Sequence, residues 1–280
     1  MPVAVSSQPE PVFVDLNFAA EKTEPDAFEF PFVTHLRSGG PLYLRPYKVP
    51  MHDLRKVEKK PSTDVESFSW EKVPFEGLDG EKGWEQKYQE VMCEWLKEYL
   101  GARVCKCTNY QIRRRTDGKD ANANYKDEVS VDAGMQPVPA VHVDINRERA
   151  SARVLSQFDG SEYSEKDRIA IFNIWRPLHG PVMDAPLALC DSRTINPEDM
   201  ERTSDKYGGG YFIKYNENMK WVYIRNQGPE DILIFRQYDN TLEPERGNIR
   251  CVAHTAFIDE ERKSLGKPRE SIELRMAVIY

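Results

Sequence analysis

The chain lacks the opening of a secretory leader: MPVAVSSQPEPVFVDLNF has no basic start followed by an apolar run. It also lacks any apolar stretch near the roughly 18 residues that span a bilayer, and 30% of its 280 residues are charged, so a membrane protein is not expected. Cysteine is scarce and odd in number. Five thiols do not make a disulfide framework and read as reduced side chains, which suggests a cytoplasmic protein. Basic charge is outnumbered, 39 Lys+Arg against 46 Asp+Glu, so the formal net of −7 argues against a nucleic-acid binder. There is no internal repeat, no low-complexity tract and no Gly-x-Ser-x-Gly elbow, which removes the usual hydrolase reading. Cys105-x-Cys107 has no second pair to complete a zinc site and reads as strand thiols. Gly208-Gly209-Gly210 lacks the Lys-Ser/Thr and helix of a phosphate loop and reads as a flexible connection. Histidine, too, is rare: five in all.

What is present suffices for a core, since 40% of residues are hydrophobic and 11% aromatic. Residues 1–80 are rich in proline and poor in helical periodicity. They read as a proline-rich N-terminal arm packed on the core, within a single domain overall. One helix stands out over residues 81–100, where Trp84, Tyr88, Val91, Met92, Trp95, Leu96, Tyr99 and Leu100 make one stripe on a 3.6-residue repeat before Gly101. It reads as a buttress against a sheet. Residues 102–112, 138–145, 169–175, 187–190, 221–225, 232–238, 249–257 and 272–279 are rich in Val, Ile, Phe, Trp and Tyr and are bounded by turn residues, as strands are. The fold class is therefore mainly β with buttressing helices, as an antiparallel barrel or jelly roll. The polar stretches 116–136 and 196–220 are long enough to be lids or binding loops.

The histidines carry the chemistry. His142 and Asp144, two apart on a strand pattern, project to one face, while Val141, Val143 and Ile145 point to the other. An imidazole and a carboxylate on a core-facing strand are costly unless satisfied, and one divalent metal would satisfy both. Alternatively they pair with each other in a non-catalytic binding module. His254, in a second strand pattern, is the expected third ligand. Two His and one carboxylate suit non-heme Fe(II) oxygenases and also catalytic zinc, so a zinc hydrolase with the same ligands stays open. His35 and His52 lie in the arm, and His179 sits in a turn. Past His254, Arg269, Ser271, Glu273 and Arg275 share strand parity. A guanidinium fork with a serine hydroxyl suits the distal carboxylate of a keto-acid such as 2-oxoglutarate, with Arg269 first and Arg275 in reserve; either arginine could instead pair with Glu270 or Glu273. Arg176 could bind a substrate or co-substrate carboxylate or pair with Asp191. Arg113-Arg114-Arg115 could steer an anion or form a solvated turn.

His142-x-Asp144, His254 and Arg269-x-Ser271 together resemble the signature of Fe(II)/2-oxoglutarate-dependent oxygenases. More specific is the block Phe172-Asn173-Ile174-Trp175-Arg176-Pro177-Leu178, with Gly180-Pro181-Val182 and Pro186-Leu187-Ala188-Leu189-Cys190-Asp191 after it. With His254-Thr255-Ala256-Phe257 and Pro268-Arg269-Glu270-Ser271-Ile272-Glu273, it resembles the fungal and bacterial hydroxylase/desaturase family, which includes cephem methoxylation enzymes and aspergillic-acid type hydroxylases. The resemblance covers roughly residues 100–280. It implies a double-stranded β-helix with iron at its mouth, with Fe(II), 2-oxoglutarate and dioxygen as the reacting set. The substrate it implies is a small amino-acid-derived compound or other secondary metabolite, to be hydroxylated, desaturated or oxidatively cyclised. Two departures from the compact members stand out: a longer spacing from His142 to His254, and an Arg-x-Ser pair 15 residues beyond His254.

Overall fold

A computed structural model describes residues 10–30, 40–78, 80–116, 135–159, 162–164, 166–203, 209–241 and 250–280. The elements run β1 Val12–Ala20, β2 Phe28–Glu29, β3 Tyr43–Asp53, β4 Phe68–Lys72, α1 Trp84–Leu100, β5 Val104–Arg114, β6 His142–Val143 and α2 Arg147–Leu155. They continue with β7 Ile169–Pro177, β8 Leu187–Cys190, β9 Met200–Arg202, β10 Tyr211–Ile213, β11 Trp221–Tyr223, β12 Asp231–Asp239, β13 His254–Ala256 and β14 Glu270–Ile279.

Two sheets face each other. Among the described residues the larger follows the order β1-β3-β11-β8-β13-β6-β10-β9, with β2 on β3, and the smaller follows β4-β12-β7-β14-β5. Apart from the parallel β11–β3 pair, the strand pairs of both sheets are antiparallel. The larger sheet curls until its ends approach: Ala19 bridges Lys214, and the Val141 amide donates to the Asn17 carbonyl at 2.9 Å. The result is the expected jelly roll, with a large sheet closing nearly on itself.

Strand alternation explains the layers. On β8, Ala188 and Cys190 join Phe18, Met51, Trp221 and Val143 inside the curl, whereas Leu187 and Leu189 face Trp175, Leu233 and Phe235 of the smaller sheet. On the far side of the smaller sheet, Phe172, Ile174, Leu274 and Met276 meet the α1 stripe. Trp84, Tyr88, Met92 and Leu96, four apart in turn, are the buried positions of α1, which ends at Gly101 in the left-handed region (φ 62°). Burying each such side chain stabilises the packing by about 1.5–3 kcal/mol.

The structure corrects several sequence expectations. The strand expected over 138–145 is regular only at His142–Val143: Pro139 has no N–H to give, and Asn146 caps a helix that starts immediately after, its side chain accepting from the Arg149 amide at 3.0 Å. That helix, α2, was not foreseen. The stretch 196–220 is no free loop, since β9 and β10 pair within it and β10 pairs with β6; its residues 204–208 lie outside the described set, as do 117–134 of the other expected lid. Arg113 and Arg114 belong to β5 and do not form a solvated turn. No described helix is long and apolar enough to cross a membrane.

Candidate metal centre and co-substrate pocket

β6 and β13 are antiparallel neighbours in which His142 and His254 stand directly opposite, their ring centroids 4.3 Å apart. Asp144, two residues beyond His142, falls on the same face. Its Oδ1 lies 3.5 Å from His142 Nε2 and 3.9 Å from His254 Nε2. One ligand atom from each of the three residues can be chosen so that all lie within 4.8 Å of one another.

The backbone fixes which imidazole nitrogen is offered. His142 Nδ1 sits 2.7 Å from the Ala140 carbonyl and His254 Nδ1 3.3 Å from that of Val252, the residue two before it in each case. A proton on each Nδ1 leaves both Nε2 lone pairs aimed at one volume, the orientation metal-bound histidines require. Burial and the neighbouring His142 push His254 down to about 3, so it stays neutral and available to a cation. For Asp144, burial works upward, but the Arg275 guanidinium and the two imidazoles hold it well below the ordinary carboxylate range. Two imidazoles and an ionised carboxylate with open space beside them are a donor set that fits Fe(II).

Asp144 is anchored from three sides. Asn173 Nδ2 of β7 donates to Oδ2 at 2.7 Å, and Arg275 of β14 forks over both oxygens at 3.2 and 3.1 Å. The Asp144 amide donates to Gln237 Oε1 at 2.8 Å, while Gln237 Nε2 reaches the Val252 carbonyl at 3.0 Å. Gln237 of β12 thus ties the Asp144 backbone to the segment leading to His254. Gly210 presses on the same place: a Cβ there would stand 2.3 Å from the Val143 oxygen and 3.0 Å from the Asp144 carbonyl carbon. The glycines expected to be a flexible connection include this clamp, and the Gly209 carbonyl also accepts from the Asn146 amide. Gly208 lies outside the described residues.

The triad opens into a cleft of about 290 Å³, its open mouth included, lined by Arg113, Trp175, Leu187, Arg269 and Glu273, among others. Arg269 is 1% exposed; its guanidinium lies 5.2 Å from the Trp175 ring and Nη1 donates to the Ala185 carbonyl at 2.9 Å. Its backbone amide donates to the buried Asp184 Oδ2 at 2.9 Å, and the same oxygen takes Arg115 Nη1 at 3.0 Å. Ser271 is buried beyond it on the strand. Arg275 pairs with Asp144, not with the cavity, and stands 3.7 Å from Glu273. Burial, and then the Asp144 charge, raise the Glu273 carboxyl above its usual range.

Arg176 lies away from the site altogether. It points to the helix side of the smaller sheet, where Nε donates to Tyr88 Oη at 2.9 Å, Nη1 to the Pro229 carbonyl at 2.7 Å and Nη2 to that of Val73 at 2.6 Å. It does not pair with Asp191 either, which holds Arg193 at 2.7 Å. The physical reason is parity: Asn173 and Trp175 face the metal-ligand strands, so Arg176 must face the other way. In the sequence Asn173 stands out only as a member of the Phe172–Leu178 block and Gly210 only as part of a glycine run, while Gln237 carries no functional expectation. Asn173 and Gln237 are buried polar side chains on core strands, and side chains of that kind need a partner.

A jelly roll carrying two imidazoles and a carboxylate that converge at the mouth between its sheets defines the mononuclear non-heme iron oxygenases. Comparison with known proteins agrees. The family described as Oxidoreductase/YMDC permease-like domain matches residues 16–279. The chain is 30% identical over 212 residues to the alpha-ketoglutarate-dependent dioxygenase phiK from Fungal sp., covering 72% of each chain. It is 28% identical over 253 residues to the hydroxylase/desaturase efuI of Hormonema carpetanum, covering 83% of each. In fold it matches a solved variant of the iron and alpha-ketoglutarate-dependent endoperoxidase NvfI with a TM-score of 0.77, at 22% identity over 99% of both chains. The chain belongs to this family of Fe(II)/2-oxoglutarate-dependent dioxygenases. An oxygenase, not a zinc hydrolase or an inert binding module, is therefore the reading that stands.

Proposed function

We propose that His142, Asp144 and His254 hold the ferrous ion through the two Nε2 atoms and Asp144 Oδ1, and that Arg269 receives the distal carboxylate of 2-oxoglutarate. The enzyme then hydroxylates, desaturates or oxidatively cyclises a small secondary metabolite or amino-acid derivative, and its similarity to a hydroxylase/desaturase supports the first two outcomes. The observation that carries this reading is the convergence of both Nε2 atoms on Asp144 Oδ1 while each Nδ1 is held by its own strand. When bound, the iron with dioxygen and the keto-acid supplies the oxidant for an unactivated C–H bond.

The chain's own residues do the positioning. Asn173 and Arg275 Nε occupy Asp144 Oδ2, and Arg275 Nη2 reaches Oδ1, so the carboxylate is held with Oδ1 as the oxygen turned to both Nε2 atoms. Arg269, fixed over Trp175 and through its backbone by Asp184, presents a planar fork that matches a carboxylate. Trp175 and Leu187 wall the cavity and exclude water. Ser271 adds a hydroxyl on the same strand face. Residues 1–80 act as part of one domain with 81–280, since β1 and β3 belong to the larger sheet and β4 to the smaller.

Anaerobic addition of Fe(II) and then 2-oxoglutarate should produce the weak visible charge-transfer band of the chelate. Asp144→Ala should abolish the band and succinate formation. A variant that keeps both overturns the ligand assignment.

A further inference from the structure

The three consecutive arginines at the end of β5 are treated differently by the fold. Arg114 Nε pairs with Glu270 at 2.9 Å, and Arg115 Nη1 with Asp184 at 3.0 Å. Arg113 lines the metal-site cavity, and among the described residues no carboxylate lies within ion-pair distance of it; its hydrogen bond there goes from Nη1 to the Gln136 carbonyl at 2.9 Å. A guanidinium has five donors, so most of its capacity is left for something in the cavity.

Register shows why it points inward. Arg113 is opposite Ser271 on β14, and therefore on the same face as Arg269, Glu273 and Arg275. Glu273, opposite Gln111, is a diagonal neighbour, and diagonal strand partners stand about 7–8 Å apart. The two do not close an ion pair.

Charge makes the case stronger. Around the site three guanidiniums, Arg113, Arg269 and Arg275, face two carboxylates, Asp144 and Glu273, which leaves one formal positive charge. A divalent ion and the dianionic 2-oxoglutarate cancel each other, so the excess remains with both in place. In a low-dielectric cavity that excess is costly unless a further anion balances it. The cavity's other walls are apolar: Val138, Trp175, Leu187 and Ala256.

We propose that Arg113 is the anchor of the primary substrate, and that this substrate is a monocarboxylate on an apolar frame. The inference rests on the assignment of Arg269 to the co-substrate, because that assignment leaves Arg113 unclaimed. The acid docks by accepting two parallel N–H bonds from Arg113, which sets its apolar body against Trp175 and Leu187 beside the metal. Gln136, through its carbonyl, fixes the guanidinium before the ligand arrives.

The test uses the full chain with Mn(II) in place of iron and saturating 2-oxoglutarate, screened by ligand-observed NMR with apolar monocarboxylic acids and their matched primary amides. Acids should bind in preference to amides, and Arg113→Gln should weaken the acids by roughly 10- to 100-fold while weakening the amides far less. Arg113→Lys, which keeps the charge but not the fork, should restore part of the preference. The proposal is overturned if acids and amides bind alike, if neither binds, or if the preference survives in Arg113→Gln. In parallel, 2-oxoglutarate titrations of Arg113→Gln and Arg269→Gln separate the two assignments. A larger loss in Arg269→Gln keeps the co-substrate reading. A larger loss in Arg113→Gln overturns both. If Arg269→Gln binds 2-oxoglutarate as tightly as the native chain does, the co-substrate reading fails and the acid screen alone decides the substrate anchor.

Discussion

Replacing Gly210 with alanine tests whether the metal site depends on a close backbone approach. The added Cβ would sit 2.3 Å from the Val143 oxygen and 3.0 Å from both the carbonyl carbon and the oxygen of Asp144. Ordinary carbon–oxygen contacts lie about 1 Å further out, so β10 or the His142-x-Asp144 segment must move by nearly that much. Overpacking of this kind costs about 1–3 kcal/mol of stability. The effect on the metal should be larger in kind, since ligand distances tolerate only about 0.2 Å of error and Asp144 is the proposed carboxylate ligand. Disturbing the groups that orient a ligand typically lowers metal affinity about 10- to 100-fold. Titration with Mn(II), followed by electron paramagnetic resonance and accompanied by thermal melting, reads both quantities. The expected outcome is a folded protein with a modestly lower Tm and metal binding weakened at least tenfold. A Gly210→Ala protein that binds Mn(II) like the native chain would show that the approach is incidental, and the clamp argument would be wrong.

Other substitutions probe the surrounding network. Asn173→Leu removes the 2.7 Å bond to Asp144 Oδ2 and should lower metal affinity by about 10-fold or more, measured by the same titration. Tyr88→Phe strips the acceptor from Arg176 Nε and should cost about 1–3 kcal/mol in denaturant melts, yet leave 2-oxoglutarate affinity untouched because Arg176 faces the helix. Burial pushes the Cys190 thiol up to about 12, so its thiolate is nearly absent at pH 8. For Cys93 a hydrogen bond from Cys105 outweighs burial and draws the thiol below its ordinary value. Iodoacetamide labelling mapped by mass spectrometry should therefore find Cys93 ahead of Cys190, and the reverse order would contradict the placement.

Much of this architecture was legible because it is local. The α1 stripe, the span of β8 and the pairing of His142 with Asp144 follow from periods of 3.6 and 2. His254 was legible by chemistry, as a histidine in a strand with no other purpose. What escaped depends on register between strands far apart in sequence. Gln237 reaches Asp144 across 93 residues, and Asn173 reaches it across 29. No local pattern announces either bond. Arg176 differs again, because alternation alone separates it from Asn173 and Trp175 and so places it on the helix side. Arg113 shows the reverse, a residue in a run of like charges whose inward direction appears only once β5 is registered on β14.

β14 lies between β7 and β5, at the centre of one arm of the smaller sheet, although it is drawn from residues 270–279. A growing chain therefore carries β5 and β7 with unpaired edges until almost all of these 280 residues have been made. The β14–β5 pairs that finally close join positions more than 150 residues apart, such as Ile279 with Val104, and such distant contacts form slowly. Arg269 precedes this strand and Arg275 lies on it, so the nascent protein cannot set either the proposed co-substrate arginine or the partner of Asp144 while its earlier strands wait. Synthesis thus passes through an open-edged, cofactor-incompetent intermediate, and truncation ahead of Glu270 should give an aggregating chain, not a weakened enzyme.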